Sequence, residues 1–168
     1  SGGALVNTNG ELIGINTAIS SRTGSFIGYS FAVPSNIAKK VVEDLMEFGK
    51  VQEAVIGIGV DQNFKDEGVR IGSLSDESSA KKGGLKEGDI IKRVNNINIT
   101  KFSDLTGQLR AKRPGDFVEV VVDRNGKEYT KKVQLSKKDR FQSSNYNLEF
   151  RDLTKKEMKT LGVSYGVK

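Results

Sequence analysis

Two β-type runs separated by an Asn-Gly dipeptide constrain the fold of this chain more than any other feature of its sequence. The runs are Phe117–Arg124 and Lys127–Leu135, and Asn125-Gly126 lies between them. Asn-Gly flanked by such runs is the strongest short-range signal for a β-hairpin. This part of the chain is therefore predicted to be β-rich.

Shorter apolar runs precede this hairpin and alternate with turn sequences. The predicted strands are Val55–Val60, Val69–Leu74 and Ile90–Val94, and turns are expected at Leu85–Asp89, Asn95-Asn96 and Arg113–Asp116. A short helical turn is predicted at Ser79–Lys82. Ser103 is expected to cap a second helix, which carries Leu105 and Leu109 on one face. Together these elements predict a compact, partly open β-barrel with two helices that closes on itself, and we assign it residues 51–137.

The first 50 residues predict three strands and one helix. Ala4–Asn7 and Glu11–Ala18 flank an Asn-Gly turn, and Ile27–Val33 is the third run. Ser35 or Asn36 is expected to cap a helix that ends at Gly49. The apolar residues of this helix recur at helical spacing and are Ile37, Ala38, Val41, Val42, Leu45 and Met46. Three strands and a helix cannot enclose a core, so residues 1–50 are predicted to be the last part of a larger sheet.

Residues 138–168 predict a polar linker followed by an incomplete domain. A strand is expected at Tyr146–Phe150, and a short helix at Lys155–Leu161 is expected to be capped by Thr154 and to end at Gly162.

Composition excludes several classes of chemistry. The chain has no His and no Cys, which excludes structural zinc sites, thiol catalysis and iron–sulfur ligation, and leaves a serine nucleophile without an imidazole from this chain. Neither a dinucleotide fingerprint nor a phosphate-binding loop is present, and Asp61–Glu67 lacks the spacing of a calcium loop. No metal and no cofactor are predicted.

The charge pattern argues against nucleic acid as a partner. The net charge is +6, but the lysine pairs, such as Lys39-Lys40 and Lys131-Lys132, are spread along the chain with acids between them. Nucleic-acid binders usually gather their cations on one face, so these lysines are interpreted as solvated surface residues. No apolar run approaches the roughly 18–20 residues of a membrane helix, so membrane association is not indicated.

Several strings in succession resemble one family. Ser1–Asn7, Gly10–Thr17 and Gly28–Ser35 resemble the end of the protease domain of HtrA/Do-like serine proteases, which are trypsin-like double barrels followed by one or two PDZ domains. The strings similar to PDZ signatures are Val55–Ile58, Gly84–Ile91, Val94–Asn96 and Arg113–Asp116. Further along, Asn147–Phe150 together with Thr154–Gly162 resembles the start of a second PDZ domain. The implied fold is mainly β with short helices: terminal strands of a trypsin-like β-barrel, one PDZ domain and an incomplete second PDZ domain.

The resemblance implies roles for residues of the protease part. Ser1 would be the catalytic nucleophile, and the residues of the substrate pocket would be Ile13, Ile15, Asn16, Ile27, Gly28, Tyr29 and Ser30. The partner His and Asp would precede Ser1 in the parent protein. Because the chain opens on Ser1-Gly2-Gly3 without a Met, it is interpreted as cut from a longer protein, and it is expected to be inactive alone.

The PDZ part predicts a groove for a polypeptide segment. Amides around Ile56-Gly57-Ile58 can bind a terminal carboxylate, since Gly57 lets the backbone turn without a Cβ penalty. The edge of Ile58–Val60 can take up a peptide as an added strand, opposite the helix that bears Leu105 and Leu109. The predicted peptide-binding residues are Val55, Ile56, Gly57, Ile58, Val60, Leu105 and Leu109.

One departure from the family pattern lies just before the groove loop. Many relatives carry a basic residue there that helps to hold the carboxylate, whereas this chain has Gln52-Glu53-Ala54. An inward-pointing Glu53 would repel a carboxylate, which predicts weak binding of free C-termini or a preference for internal segments.

The resemblance implies a periplasmic or envelope endopeptidase for protein quality control. Its partners would be unfolded or misfolded polypeptides and peptide C-termini, and the parent would be a homotrimer or a higher homo-oligomer. Two alternatives remain open. One is a non-enzymatic PDZ scaffold, and the other is an N-terminal nucleophile hydrolase that uses the free amine of Ser1 as its base.

Overall fold

The computed structural model describes residues 2–20, 29–75, 78–138, 140–143, 148–151, 153, 155–164 and 166. The chain divides into two compact units, Ser1–Ser136 and Lys137–Lys168. Each unit is built mainly from antiparallel strands and short helices. Among the described helices, none combines the length and the apolar character needed to cross a membrane.

The first sheet has three antiparallel strands in the order β1 (Ala4–Val6), β2 (Leu12–Ser20) and β3 (Tyr29–Pro34). The predicted first hairpin is confirmed. Asn7 holds its turn, because Asn7 Oδ1 accepts the backbone N–H groups of Asn9 and Glu11, both at 3.0 Å. All three residues of β1 are exposed, so this sheet buries little of its own surface.

Helix α1 (Ser35–Phe48) follows β3 and packs against β2 and β3. The expected cap at Ser35 or Asn36 is wrong: the helix begins directly after Pro34, without a side-chain cap, and Asn36 Oδ1 accepts the neighbouring N–H of Ile37 instead. The expected end is confirmed, since Gly49 adopts the left-handed conformation at φ 67°.

The burial of α1 differs from the predicted apolar pattern. Its buried residues are Lys40 and Asp44, whereas Met46 is 83% exposed and Leu45 is about half exposed. The interpretation of Lys40 as a surface lysine is therefore wrong. A charged pair occupies the most protected position of this helix.

The second sheet forms most of residues 54–136. In chain order, the strands and helices of this part of the chain are β4 (Ala54–Val55), β5 (Ile58–Val60), β6 (Val69–Leu74), α2 (Ser79–Lys82), β7 (Ile90–Val94), β8 (Ile97–Asn98), α3 (Phe102–Arg110), β9 (Phe117–Arg124), β10 (Lys127–Gln134) and β11 (Ser136–Lys137). The main order is β10-β9-β7-β6-β5, with β8 also on β7, and these pairs are antiparallel. Among the described strands, β5 and β10 therefore form the two edges of this sheet.

Its core is aliphatic and continuous. The buried cluster consists of Ile56, Val69, Ile71, Ala80, Leu85, Ile91, Val94, Ile99, Leu105, Leu109, Val118, Val120, Val122, Val133 and Leu135. Both helices contribute to it, α2 through Ala80 and α3 through Leu105 and Leu109. This segment therefore contains a continuous aliphatic core, and the assignment of residues 51–137 as one domain stays a prediction.

The asparagine turns of this domain form as the sequence predicts, whereas the predicted cap of α3 does not. Asn95, Asn96 and Asn125 have positive φ angles of 47°, 68° and 54°, as tight hairpin turns require. Ser103 does not cap α3, because the helix already begins at Phe102. Asp104 stabilises this end instead: its Oδ2 accepts the N–H groups of Thr100 and Lys101 at 3.0 and 3.1 Å.

A buried ion pair holds the turn between α2 and β7. Asp89 is fully buried, and its Oδ1 accepts from Arg124 Nε at 2.6 Å while its Oδ2 accepts from Arg124 Nη2 at 2.8 Å. The Lys86 N–H donates to Asp89 Oδ2 at 2.9 Å, and Arg124 Nη2 also donates to the carbonyl of Gly84 at 3.1 Å. The turn is therefore fixed to β9 by charge-assisted hydrogen bonds.

The edge strand β10 carries lysines and is flanked by aromatic rings. The side chains of Lys127 and Lys132 are exposed and that of Lys131 is partly exposed. Lys131 Nζ lies 5.9 Å from the ring centre of Tyr129, and Lys132 Nζ lies 4.7 Å from that of Phe117. These distances permit cation–π attraction.

The second unit contains a hairpin and a helix. Strands β12 (Arg140–Ser143) and β13 (Leu148–Arg151) pair antiparallel, and α4 (Lys155–Leu161) follows. The predicted helix and its end at Gly162, which has φ 65°, are confirmed. Thr154 and the first residues of the predicted strand lie outside the described residues.

Candidate functional site

The edge of β5 leaves backbone hydrogen-bonding groups available. β5 pairs only with β6 among the described strands, with Ile58 opposite Leu74 and Gly59 opposite Ser73. The N–H of Asp61 donates to the carbonyl of Arg70 in the β6 direction, at 3.0 Å. Because these groups alternate in direction along an antiparallel strand, we expect those of Ile58 and Val60 to face the free edge.

The loop before β5 is held in place by the start of α2. The carbonyl of Ile56 accepts the N–H of Ala80 at 2.9 Å. Gly57 has φ +76°, and a Cβ built on it would lie 3.1 Å from Ser78 Cβ. Ser78 in turn caps α2, since its Oγ accepts the N–H of Lys81 at 3.2 Å. Gly57 is therefore required by packing against α2 as well as by its backbone conformation.

Helix α3 and the core supply an apolar floor. Leu105 and Leu109 are 1% and 8% exposed and belong to the core together with Ile56. Ile58 and Val60 are partly buried and pack against the same cluster. Helix α3 also contacts β4. Strand β5 thus packs on the same aliphatic core as α3.

The seven predicted groove residues fall into three groups. Ile56, Leu105 and Leu109 are core residues, so they can act only as a floor. Gly57, Ile58 and Val60 offer backbone groups in the loop and along the strand. Val55 lies in β4, and its carbonyl oxygen is 3.5 Å from Ser136 Oγ. Sequence reasoning missed Ser78, whose signal is its position directly before the short helix that begins at Ser79.

The predicted protease residues are only partly described. Ser1, Ile27 and Gly28 lie outside the described residues, as does the side chain of Tyr29, and Ser30 is an exposed residue of β3. Their assignments stay predictions.

On β2, the structure brings Asn16 close to the start of the chain. The Asn16 N–H donates to the carbonyl of Gly3 at 2.8 Å, and the Gly2 N–H donates to the carbonyl of Asn16 at 2.6 Å. Ile15 directly precedes Asn16 in the strand, which places it on the other face, whereas Ile13 lies at a register shift between Leu12 and Gly14, which pair with Val6 and Leu5 of β1. The strand therefore does not gather all its predicted pocket residues on one side.

Comparison with known families identifies the second sheet and its helices. Residues 54–135 match the family model of the PDZ domain. This span contains the whole six-stranded sheet, α2 and α3, and so the whole groove.

Comparison with curated proteins extends the likeness beyond this domain. The chain is 38% identical to a probable periplasmic serine protease do/HhoA-like of Haemophilus influenzae, over 86% of this chain and 33% of that protein. It is 34% identical to the periplasmic serine endoprotease DegP of Escherichia coli, over 99% of this chain and 37% of DegP. The chain thus spans about a third of the length of these relatives.

Solved structures of serine proteases are similar to this chain as well. The HtrA-type protease AlgW with a decapeptide matches with a TM-score of 0.52 and 30% identity, over 82% of this chain and 46% of that one. The serine endoprotease from Yersinia pestis matches with a TM-score of 0.50 and 38% identity, over 83% of this chain and 48% of that one. Residues 54–135 are therefore a PDZ domain, and the chain as a whole is homologous to the DegP/HtrA serine proteases.

Proposed function

We propose that the groove between β5 and α3 binds an extended polypeptide segment as an added strand. The observation that carries this proposal is the free edge of β5, a strand that packs on the same aliphatic core as α3. Main-chain pairing with Ile58 and Val60 would supply affinity without regard to sequence, while the floor at Leu105 and Leu109 would favour apolar side chains. The AlgW structure, which contains a decapeptide, supports a peptide as the ligand class.

The loop at Gly57 would receive the end of the segment. Backbone N–H groups in a loop with positive φ form a concave site for an anion, which suits a terminal carboxylate. Glu53 lies just before β4 and its side chain is exposed. Its negative charge would weaken binding of free C-termini, so internal extended segments are included among the proposed ligands.

We further propose that the parent protein is a serine endopeptidase of the cell envelope that degrades misfolded proteins. The support is that similarity to periplasmic serine endoproteases covers residues before the PDZ domain as well as the domain itself. This breadth favours the protease over a PDZ scaffold. Within this proposal Ser1 is the nucleophile, residues 1–50 end the protease domain, residues 138–168 begin a second PDZ domain, and the parent is a homo-oligomer.

The chain alone is expected to show no proteolysis. It contains no His, so Ser1 has no imidazole to take its proton, and losing triad partners costs several orders of magnitude in turnover. Digestion of casein should stay at the level of buffer, with Ser1→Ala indistinguishable from the unchanged chain. Turnover that disappears in Ser1→Ala would instead support the N-terminal nucleophile hydrolase.

Crowding the loop is expected to weaken peptide binding. In Gly57→Val, a branched side chain would meet Ser78 and strain a backbone at φ +76°. We expect the Kd for a labelled peptide with an apolar C-terminus to rise at least about tenfold, measured by fluorescence anisotropy. The variant should still melt cooperatively.

Gly88→Val is the matched control. Gly88 has φ +86° with no atom within 4 Å of a built Cβ, so the substitution introduces similar backbone strain without crowding. Its peptide affinity should stay within about twofold of the unchanged chain. Equal losses in both variants would show that strain, and not the groove loop, governs binding.

A further inference from the structure

A buried carboxylate lies where α1 meets the PDZ domain. Asp44 is 0% exposed. Its Oδ1 accepts from Arg113 Nε at 2.6 Å, and its Oδ2 accepts from Lys40 Nζ at 2.7 Å and from the backbone N–H of Gln52 at 2.8 Å. Three donors from three segments of the chain thus converge on one side chain.

Lys40 completes the contact on the α1 side. It is 7% exposed, and its Nζ also donates to the carbonyl of Gln52. The backbone of Gln52, just before β4, is therefore held through both its N–H and its carbonyl. Together with the left-handed turn at Gly49, these bonds fix the direction in which the chain leaves α1.

Arg113 ties the same carboxylate to the helical wall of the groove. It lies three residues after Arg110, the last residue of α3. Its own N–H donates to Asp116 Oδ2 at 2.8 Å, which closes the turn that follows the helix. Its guanidinium then spans Asp44 and, through Nη2 at 3.1 Å, Glu43. The end of α3 is thereby attached to α1.

Because Asp44 is buried, losing these contacts would be costly in free energy. An ionised carboxylate is costly to bury unless it is paired and hydrogen-bonded, and charge-assisted bonds of this geometry are directional. Burial alone would raise the pKa of Asp44, but the bonds from Lys40, Arg113 and the Gln52 amide hold it well below its usual range. Displacing α1 from the end of α3 would separate this buried carboxylate from the Arg113 guanidinium.

We propose that Asp44 is a positioning residue for the peptide groove: it joins α1 to the end of α3, so that the two helices form one rigid block with the PDZ domain. The proposal deepens the proposed function and rests on it. The functional boundary of the PDZ unit then lies before Ser35 and not near residue 51. Asp44 touches no ligand in this scheme and acts through Arg113 on the wall that carries Leu109.

Asp44→Asn in the full chain tests this proposal, with Glu43→Gln as the control on the exposed side of the same arginine. Asparagine keeps the size of the side chain but removes the charge that faces Arg113 and Lys40. Kd for the apolar C-terminal peptide, measured well below the melting temperature, should rise about fivefold in Asp44→Asn and stay within about twofold in Glu43→Gln. Without peptide, amide exchange should accelerate in α1 and in the end of α3 together.

Arg113→Gln supplies a second route to the same contact if Asp44→Asn does not fold. Its effect on Kd should match that of Asp44→Asn, and the double variant should be no weaker than either single one, since both remove one interaction. A folded Asp44→Asn with unchanged Kd, additive effects in the double variant, or faster exchange confined to α1 would each overturn the proposal. If the unchanged chain binds no peptide, the proposed function fails, and exchange alone decides whether Asp44 joins the two helices.

Discussion

Replacing Asp89 with alanine is expected to lower the free energy of unfolding by about 3 kcal/mol, because removal of one partner leaves a partly buried arginine without its counter-charge. Asp89 is fully buried, and Arg124 contacts it through two nitrogens. The Lys86 N–H loses its acceptor in the same variant. Urea denaturation should show a lower midpoint with an unchanged slope.

Asp123→Ala is the matched control for this experiment. Asp123 precedes Arg124 in the same strand, and among the described residues its side chain accepts only the Gly126 N–H in the hairpin turn, at 2.8 Å. A single hydrogen bond of this kind contributes about 1 kcal/mol. Equal losses in the free energy of unfolding would show that the ion pair stabilises this domain no more than a single hydrogen bond does.

The free energy of unfolding is also expected to fall at acidic pH. Below about pH 4, near the pKa of about 3.9 of an unfolded Asp, stability should fall steeply. The pKa values of three folded carboxyls lie below their ordinary value. Burial opposes this shift at Asp44 and Asp89, but hydrogen bonds from Lys40, Arg113 and the Gln52 amide outweigh it at Asp44, and those from Arg124 and the Lys86 amide outweigh it at Asp89. At Asp104 the bonds from Thr100 cause the lower pKa.

The sign follows from proton binding. Because the folded carboxyls hold protons less tightly than unfolded ones, their contribution is fully present above the unfolded pKa and is lost as the pH falls through the folded pKa. With no His in the chain, no side chain with an ordinary pKa titrates between about pH 5 and pH 8. Denaturation midpoints should therefore be level across that range. A decline on going from pH 8 to pH 6 would contradict this account, and Asp89→Ala should show a shallower acid loss.

Local signals predicted most of the fold. The Asn125-Gly126 hairpin, the helix end at Gly49 and the helix Lys155–Leu161 are present as expected, since each depends on neighbouring residues alone. The caps at Ser35 or Asn36 and at Ser103 were wrong, because α1 begins directly after Pro34 without a side-chain cap and the hydrogen bonds at the start of α3 come from Asp104.

Contacts between distant residues could not be predicted in this way. Asp44 and Arg113 are 69 positions apart, and a periodic pattern that assigns charged residues to solvent places Lys40 and Asp44 on the wrong side of α1. The sequence predicts that Gly57 lets the backbone turn, but its contact with Ser78 depends on how α2 packs. The groove was thus predicted by its residues, while the contacts that hold it in shape were not.

The lysines of β10 have a consequence for how these domains meet one another. The unpaired strand at the edge of a sheet can pair with an edge strand of another molecule, and lysines on the edge oppose this pairing by electrostatic repulsion. Two copies approaching through β10 would bring two edges that each carry Lys127, Lys131 and Lys132 close together, whereas Ile58–Val60 of β5 carries no charge. Growth of the sheet into an open-ended stack would thus be blocked on one side, and this protection should weaken as added salt screens the lysines.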